Sequence, residues 1–341
     1  MSLDPETTGA MSDADAWRIV RQLAAPTSNE PPSVWVARHV VFDEAGNRGP
    51  FMLAGREYAA EILDDFARGD VTDETLVTGS QVGKTTILMA AVAWCLEHSP
   101  GGVLWAMDSI GNVRTFVKGR FRRMLLATQP TRALVPTGSA RHDFSMQAMI
   151  LGPTTIRFTG SNSAGNLAST PCRRTILDEV DKFDEGMTTE ADAVSLAEQR
   201  TKDSALAQRW KTSTPTIVDG LIWTAFVEGD QRRYFVPCPA CGGFVVLAWS
   251  KEHTVFPLTG AEAFVEWDES ARMDAGEWDY SIVERTARAR CPHCQHLISD
   301  TDKPQMNARG EWRATVTNAP AGHVSRHLPS LYSTSPEVTW G

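Results

Sequence analysis

No apolar run in this chain is long enough to cross a bilayer. The longest, Ile87 to Leu96, falls well short of the roughly 20 residues that a spanning helix needs. The stretch from Met1 to Ala16 is acidic and polar, without the basic start and apolar core of a secretory signal. No membrane partner is expected. Cysteine is scarce, 6 in 341 residues. With no export signal, these cysteines read as reduced thiols or metal ligands rather than disulfides. Basic excess is missing too. Lys+Arg number 33 against 42 Asp+Glu, a net charge of −9, which excludes a surface coated for nucleic acid and makes any such contact local. One local patch stands out: Arg114, Lys118, Arg120, Arg122, Arg123, Arg132 and Arg141 fall between Ser109 and His142 with no acidic residue among them. There is no low-complexity tract and no internal repeat beyond two similar cysteine pairs. The length suggests two domains, or one large domain with an appendage.

The stretch that organises the rest is Val77-Thr-Gly-Ser-Gln-Val-Gly-Lys-Thr85. A strand, a glycine-bearing loop, Lys-Thr and a helix make a cradle for nucleotide phosphates. Gly79, Ser80, Gln81, Val82, Gly83 and Thr86 supply its wall, with backbone N–H groups and the positive helix end facing the anion. Lys84 would reach the β- and γ-phosphates of ATP, and the Thr85 hydroxyl would ligate Mg²⁺. The usual pattern begins with glycine where Thr78 stands, and an ordinary glycine turn before a helix is the competing reading.

Along the chain, residues 1–12 read as disordered, a short helix follows to Ala25, and Pro26 to Pro32 is a linker. Val34 to Phe42 reads as extended, and Arg56 to Arg68 as an amphipathic helix. Val103 to Met107 reads as a buried strand, Asn112 to Leu126 as a basic helix, and Met146 to Phe158 as a β-hairpin turning at Gly152-Pro153. Thr175 to Glu179 and Gln208 to Thr214 read as strands. This alternation predicts an α/β fold with a mostly parallel sheet flanked by helices, the P-loop NTPase arrangement of RecA/ASCE type.

A phosphate loop needs a second strand carrying an acidic residue for Mg²⁺, and Asp178 fits that role. Glu179 beside it can position and deprotonate water, as the catalytic base. Asp181 and Asp184 are expected to be solvated or to cap the next helix. Ser213 and Thr214, before Pro215, end a strand whose tip lies near the γ-phosphate, although a plain strand-end turn would look the same. An arginine should neutralise transition-state charge, from this chain or a neighbour. Arg120 is preferred over Arg122 and Arg123, and each of the three also fits a solvated or DNA-facing role.

Cys238-Pro-Ala-Cys241 and Cys291-Pro-His-Cys294 can place four thiolates around tetrahedral zinc. With every position filled by sulfur there is none open for a substrate, so the Zn²⁺ would be structural, in a small β-rich zinc-ribbon-like subdomain. His293 is not expected to be a ligand. Cys95 and Cys172 read as small core residues. His142, His253, His296, His323 and His327 show no ligand spacing.

Several pieces together resemble the large terminase subunits of tailed phages, the lambda-like GpA family. They are the Gly79-Ser-Gln-Val-Gly-Lys-Thr85 loop, the run Ile156-Arg-Phe-Thr-Gly-Ser-Asn-Ser-Ala-Gly-Asn-Leu167 with Arg174-Thr-Ile-Leu-Asp-Glu-Val-Asp-Lys-Phe183 after it, and the cysteine pairs with Gly310-Glu-Trp312 beyond. The resemblance runs from about Phe51 to Trp340. It implies an ATP-driven motor that pumps double-stranded DNA into a procapsid. Such a motor assembles as a homo-oligomeric ring in the host cytoplasm, with the portal protein and a small terminase subunit as partners. It also implies a domain plan: a tail and short helix over 1–32, the ATPase over 33–233, the cysteine subdomain over 234–318, and over 319–341 the start of a linker toward a nuclease. Nuclease activity is not expected from this chain. A helicase-type DNA-dependent ATPase, or a zinc-ribbon nucleic-acid-binding module on an inactive nucleotide fold, would share parts of the pattern.

Overall fold

The structure is a computed structural model that describes residues 30–44, 47–183, 192–252, 254–273 and 276–341. Asp184, His253 and the expected helix up to Ala25 lie outside the described residues.

The strands are β1 (Val41–Glu44), β2 (Asn47–Pro50), β3 (Asp73–Thr78), β4 (Val103–Met107), β5 (Ala148–Leu151), β6 (Thr154–Gly160), β7 (Arg174–Asp178) and β8 (Gln208–Ser213). After them come β9 (Arg232–Pro237), β10 (Phe244–Ala248), β11 (Glu262–Glu266), β12 (Arg288–Arg290), β13 (Leu297–Ile298), β14 (Glu311–Arg313) and β15 (His323–Leu328). β1 and β2 form a separate hairpin. The others form one sheet in the order β13-β12-β11-β10-β9-β15-β3-β8-β7-β4-β6-β5, with β14 on β9. From β9 through β15, β3, β8, β7 and β4 to β6 every neighbour is parallel. Parallel strands need covered faces, and the sequence supplies the cover. The helix Lys84–His98 is buried from Thr86 to Leu96, because it is apolar all round rather than along one stripe. It packs with the helices Pro32–His39 and Tyr58–Asp64 on one face. The helix Leu221–Glu228 packs against β3, β8 and β15. Among the described residues, no helix is long and apolar enough to cross a membrane.

Three expectations change. Val34 to Phe42 is not one extended segment. Pro32 sits in the first turn of the helix Pro32–His39 and the strand begins only at Val41, because Trp35 and Val36 fall on one helical face and are buried. The boundary at 233/234 does not separate two sheets, since it cuts through β9, which bonds to β15 on one side and β10 on the other. Residues 319–341 are no linker start. β15 lies between β3 and β9 in the centre of the sheet, and Leu331, Tyr332 and Trp340 are buried. Its polar letters hid it. Ser325 and Arg326 are both buried, and Arg326 is held by Glu74, by Glu61 at 2.5 Å and by Asp65 at 2.7 Å. The basic helix and the β5–β6 hairpin are present as expected, the helix as a continuous run of Ile110–Phe116, a π-helical turn Val117–Phe121 and Arg122–Ala127.

Candidate nucleotide site

β3 is buried along its whole length and delivers the loop at the C-terminal edge of the parallel strands, where α/β sheets bind ligands. The loop takes left-handed backbone at Gln81 (φ 60°) and Gly83 (φ 84°) and leads directly into the helix Lys84–His98. Three contacts fix it from outside. Gly79 N–H donates to Leu328 O at 2.8 Å, Tyr58 Oη donates to Val82 O at 3.0 Å, and Ser333 Oγ donates to Gln81 O at 2.8 Å. The side chains of Ser80 and Gln81 are exposed.

β7, also buried throughout, ends on Asp178. Glu179 then turns left-handed (φ 66°), its N–H donating to Thr212 O of β8 at 2.7 Å. Thr85 Oγ1 donates to Asp178 Oδ2 at 2.9 Å. Burial pushes the Asp178 carboxyl up to about 6, against the pull of Lys84 and the Thr85 hydrogen bond. Its other oxygen, Oδ1, is buried with no hydrogen-bond partner among the described residues. Lys84 Nζ lies 2.7 Å from Glu179 Oε1 and donates to Thr214 Oγ1 at 3.2 Å. Burial acts to raise Glu179, but Lys84, with Lys182 at 3.4 Å, outweighs it and holds the carboxyl below its ordinary range. Lys84, Thr85, Asp178, Glu179 and Thr214 are therefore brought together from three elements.

Ser213 and Arg120 stand differently. Ser213 Oγ accepts from Asp181 N–H at 3.3 Å and donates to Thr214 O at 3.1 Å, so it ties down the turn after Glu179 without reaching Lys84. Arg120 pairs with Glu44 and donates to Thr86 Oγ1 at 3.0 Å. It stands at the side of the phosphate-loop helix, and its hydrogen bonds go to these two residues rather than to the Lys84–Glu179–Thr214 group. Asp181, expected to be solvated or to cap the next helix, does cap a helix, though not the next one in the chain. Its carboxylate accepts from Thr216 N–H at 3.1 Å and Ile222 N–H at 2.8 Å. It thus caps the helix Leu221–Glu228 across the chain and locks it to the turn after Glu179. A Cβ on Gly220 would lie 2.6 Å from Asp181 Oδ2. No local signal pointed to this role, since its partners Thr216 and Ile222 lie in a distant segment. Glu44 carried no signal, since only the fold brings the β1–β2 hairpin beside Arg120.

Far along the sheet, Cys238, Cys241, Cys291 and Cys294 bring their sulfurs within 4.8 Å of one another. Cys238–Cys294 and Cys241–Cys291 are each 3.9 Å apart, and none is disulfide-bonded. The two knuckles match in conformation: Gly242 (φ 72°) and Gln295 (φ 64°) hold the same left-handed place after the second cysteine. His293 Nε2 lies 3.1 Å from Phe244 O, outside the sulfur group. Cys95 is buried in the core.

The family model for the phage terminase large subunit gpA ATPase domain matches residues 45–312, well over half of the chain. The chain belongs to this family. It is similar to the terminase large subunit of Enterobacteria phage P21, 19% identical over 228 residues that cover 66% of this chain and 36% of that protein. It is also similar to the terminase large subunit of Escherichia phage lambda, 23% identical over 207 residues, 58% of this chain and 31% of that protein. The chain thus spans about a third of the length of these curated relatives. Among solved structures, the large terminase of the thermophilic bacteriophage D6E gives a TM-score of 0.37 at 16% identity, covering 52% of this chain and 42% of that one. The Thermus phage P74-26 large terminase ATPase domain gives 0.36 at 14%, covering 49% and 69%.

Proposed function

We propose that this terminase-family chain hydrolyses ATP with Mg²⁺ at the loop 79–85, as the ATPase part of a motor that drives double-stranded DNA into a procapsid. One observation carries the reading: Lys84, Thr85, Asp178 and Glu179 converge at the C-terminal edge of a parallel sheet in which β8 separates the loop strand β3 from the carboxylate strand β7. This strand order supports the RecA/ASCE-type P-loop reading.

The residues fit the cation. Asp178 keeps one buried oxygen without a partner among the described residues, and the Thr85 hydroxyl stands beside the other. Magnesium bound there would neutralise charge on the triphosphate. Lys84 is held by Glu179 and Thr214. A triphosphate carries more charge than one carboxylate, so it draws the ammonium away and frees Glu179, already ionised at neutral pH, to orient and deprotonate the attacking water. Loop amides and the positive helix end hold the β-phosphate. Thr214 loses the Lys84 contact in the same exchange, and Ser213 and Asp181 connect that strand tip to the helix Leu221–Glu228. The transition-state arginine remains Arg120 or one from a neighbouring subunit of a ring. The four sulfurs fit structural zinc in a ribbon-like module: tetrahedral Zn–S bonds of about 2.3 Å put sulfurs roughly 3.8 Å apart, close to the gaps present. The portal protein and a small terminase subunit are the partners that family membership supports.

Phosphate release from Mg·ATP by the purified chain tests the reading. Lys84→Ala and Glu179→Ala should each lose at least about 100-fold in turnover with thermal unfolding still cooperative. Unchanged turnover in both variants removes the mechanism.

A further inference from the structure

Seven basic residues crowd the stretch from 109 to 142, and the fold sorts them. Arg120 and Arg123 turn inward, to Glu44 and Asp43 of the β1–β2 hairpin. Arg122, Arg132 and Arg141 make no ion pair or hydrogen bond among the described residues, and they converge on one cleft of about 500 Å³ beside Val135 and Phe144. They come from three separate elements: the helix Arg122–Ala127, the helix Gln129–Arg132 and the 3₁₀ turn Gly138–Asp143. The clustering is therefore built by tertiary structure and is not a by-product of helical spacing. The Arg122 guanidinium stacks over the Phe144 ring, 4.5 Å from its centre, which fixes its direction. No carboxylate lines the cleft. The nearest acid in sequence, Asp143, lies 3.1 Å from His142 Nε2 and does not line the cleft. Side chains of all three line this one cleft; like charges gathered there favour an anion beside them, and planar guanidinium forks match phosphate oxygens. In a chain of net charge −9, such a spot is a local exception.

We propose that this arginine cleft grips the phosphodiester backbone of double-stranded DNA. Arg114 and Lys118, exposed and also without an ion pair among the described residues, extend the basic strip along the same helical run, as suits a polymer of regularly spaced phosphates rather than a single small anion. The same run carries Arg120 to Thr86, one residue from Thr85, with the π-helical turn Val117–Phe121 between that contact and the helix that bears Arg122. The inference rests on the DNA-handling part of the function proposed above and is independent of its hydrolytic chemistry.

The test measures binding of a fluorescent DNA duplex to the whole chain by anisotropy, from about 50 to 200 mM salt. The variants are Arg122→Ala/Arg132→Ala/Arg141→Ala and the charge-keeping triple lysine replacement. Removing three phosphate contacts should flatten the slope of log affinity against log salt by about 2.7, at roughly 0.9 per contact. The lysine triple should keep the wild-type slope, and both variants should keep the wild-type melting temperature. A wild-type slope in the alanine triple, or no duplex binding by the wild type at low salt, overturns the proposal. So does polyglutamate binding that is lost in the alanine triple while duplex binding persists, since the cleft would then dock an acidic protein segment. Loss of DNA binding in the alanine triple beside a wild type that does not hydrolyse ATP would leave the cleft standing and sink the hydrolysis reading instead.

Discussion

Replacing Asp178 by asparagine should make the nucleotide-free protein more stable at neutral pH while abolishing magnesium-dependent turnover. Burial lifts this carboxyl from an ordinary 3.8 to about 6, so the ionised form that a cation needs is the form the fold disfavours. A displacement of roughly two units corresponds to about 3 kcal/mol, at 1.36 kcal/mol per unit. The sign follows from proton counting. Between the two values the unfolded chain has lost this proton and the folded chain has kept it, so stability falls as pH rises through that window. The contribution is intact below the unfolded value and gone above the folded one. Asparagine can still accept the Thr85 hydrogen bond through its carbonyl, which leaves charge as the difference. The variant should exceed the wild type by about 3 kcal/mol near pH 7.5, by about half of that near pH 5 and by almost nothing below pH 4. For a cooperative unit of 341 residues, with an unfolding entropy of about 2.1 cal/mol/K per residue, 3 kcal/mol is a rise of roughly 4 °C. Paired calorimetric melts across pH, in chelator and without nucleotide, read the gap, because titrating groups distant from Asp178 cancel in the difference. With Mg·ATP present the order should reverse, since ligand stabilises only the protein that binds it. A less stable variant at neutral pH, or a gap that does not change with pH, would refute the assignment of Asp178 as a strained metal ligand.

Two further outcomes follow from side chains far from the nucleotide. Arg326→Met leaves Glu74 buried without its cation and Asp65 with Arg68 alone, which should cost about 3–5 kcal/mol. An unchanged melting temperature would show that the network contributes nothing. Metal analysis should find one zinc per wild-type chain and none in Cys291→Ser, with the variant unfolding earlier because metal binding is folding energy. Wild-type protein that carries no zinc and melts like the variant would refute the structural-metal reading.

The parts of this molecule legible in its sequence share a physical property: their signal is local. The loop 79–85, the apolar helix after it, β7 with its terminal carboxylates and the two cysteine knuckles each need only near neighbours in the chain to be recognised, and each stands where its residues suggested. What escaped depends on distant partners. β15 looks polar because the partners that neutralise Arg326 lie on β3 and on the helix Tyr58–Asp64 with its following turn, some 250 residues away. Asp181 looks like a surface acid until the segment 216–222 folds over it. The division of labour among the basic residues is likewise invisible in one dimension, since Arg120 and Arg122 are two positions apart and face an acidic partner and an empty cleft respectively.

The loop's departure from the usual phosphate-binding pattern has a physical account in the same distant contacts. A leading glycine would be needed at position 78 if the chain turned there, but Thr78 is still strand, in register with Leu328 of β15. The turn begins one residue later. Gly79 needs no left-handed backbone; its requirement is steric, because a Cβ there would lie 2.2 Å from Ser330 N. The chain leaving β15 passes too close for any side chain. From Ser330 the same segment reaches forward to place Ser333 on Gln81 O, the first of the two left-handed positions, and Gly83 supplies the second without strain. The conformational demands of the phosphate cradle are thus met at 79, 81 and 83, and two of the three are set by residues 328–333. The segment that looked like the start of a linker is part of the mould in which the phosphate loop is cast.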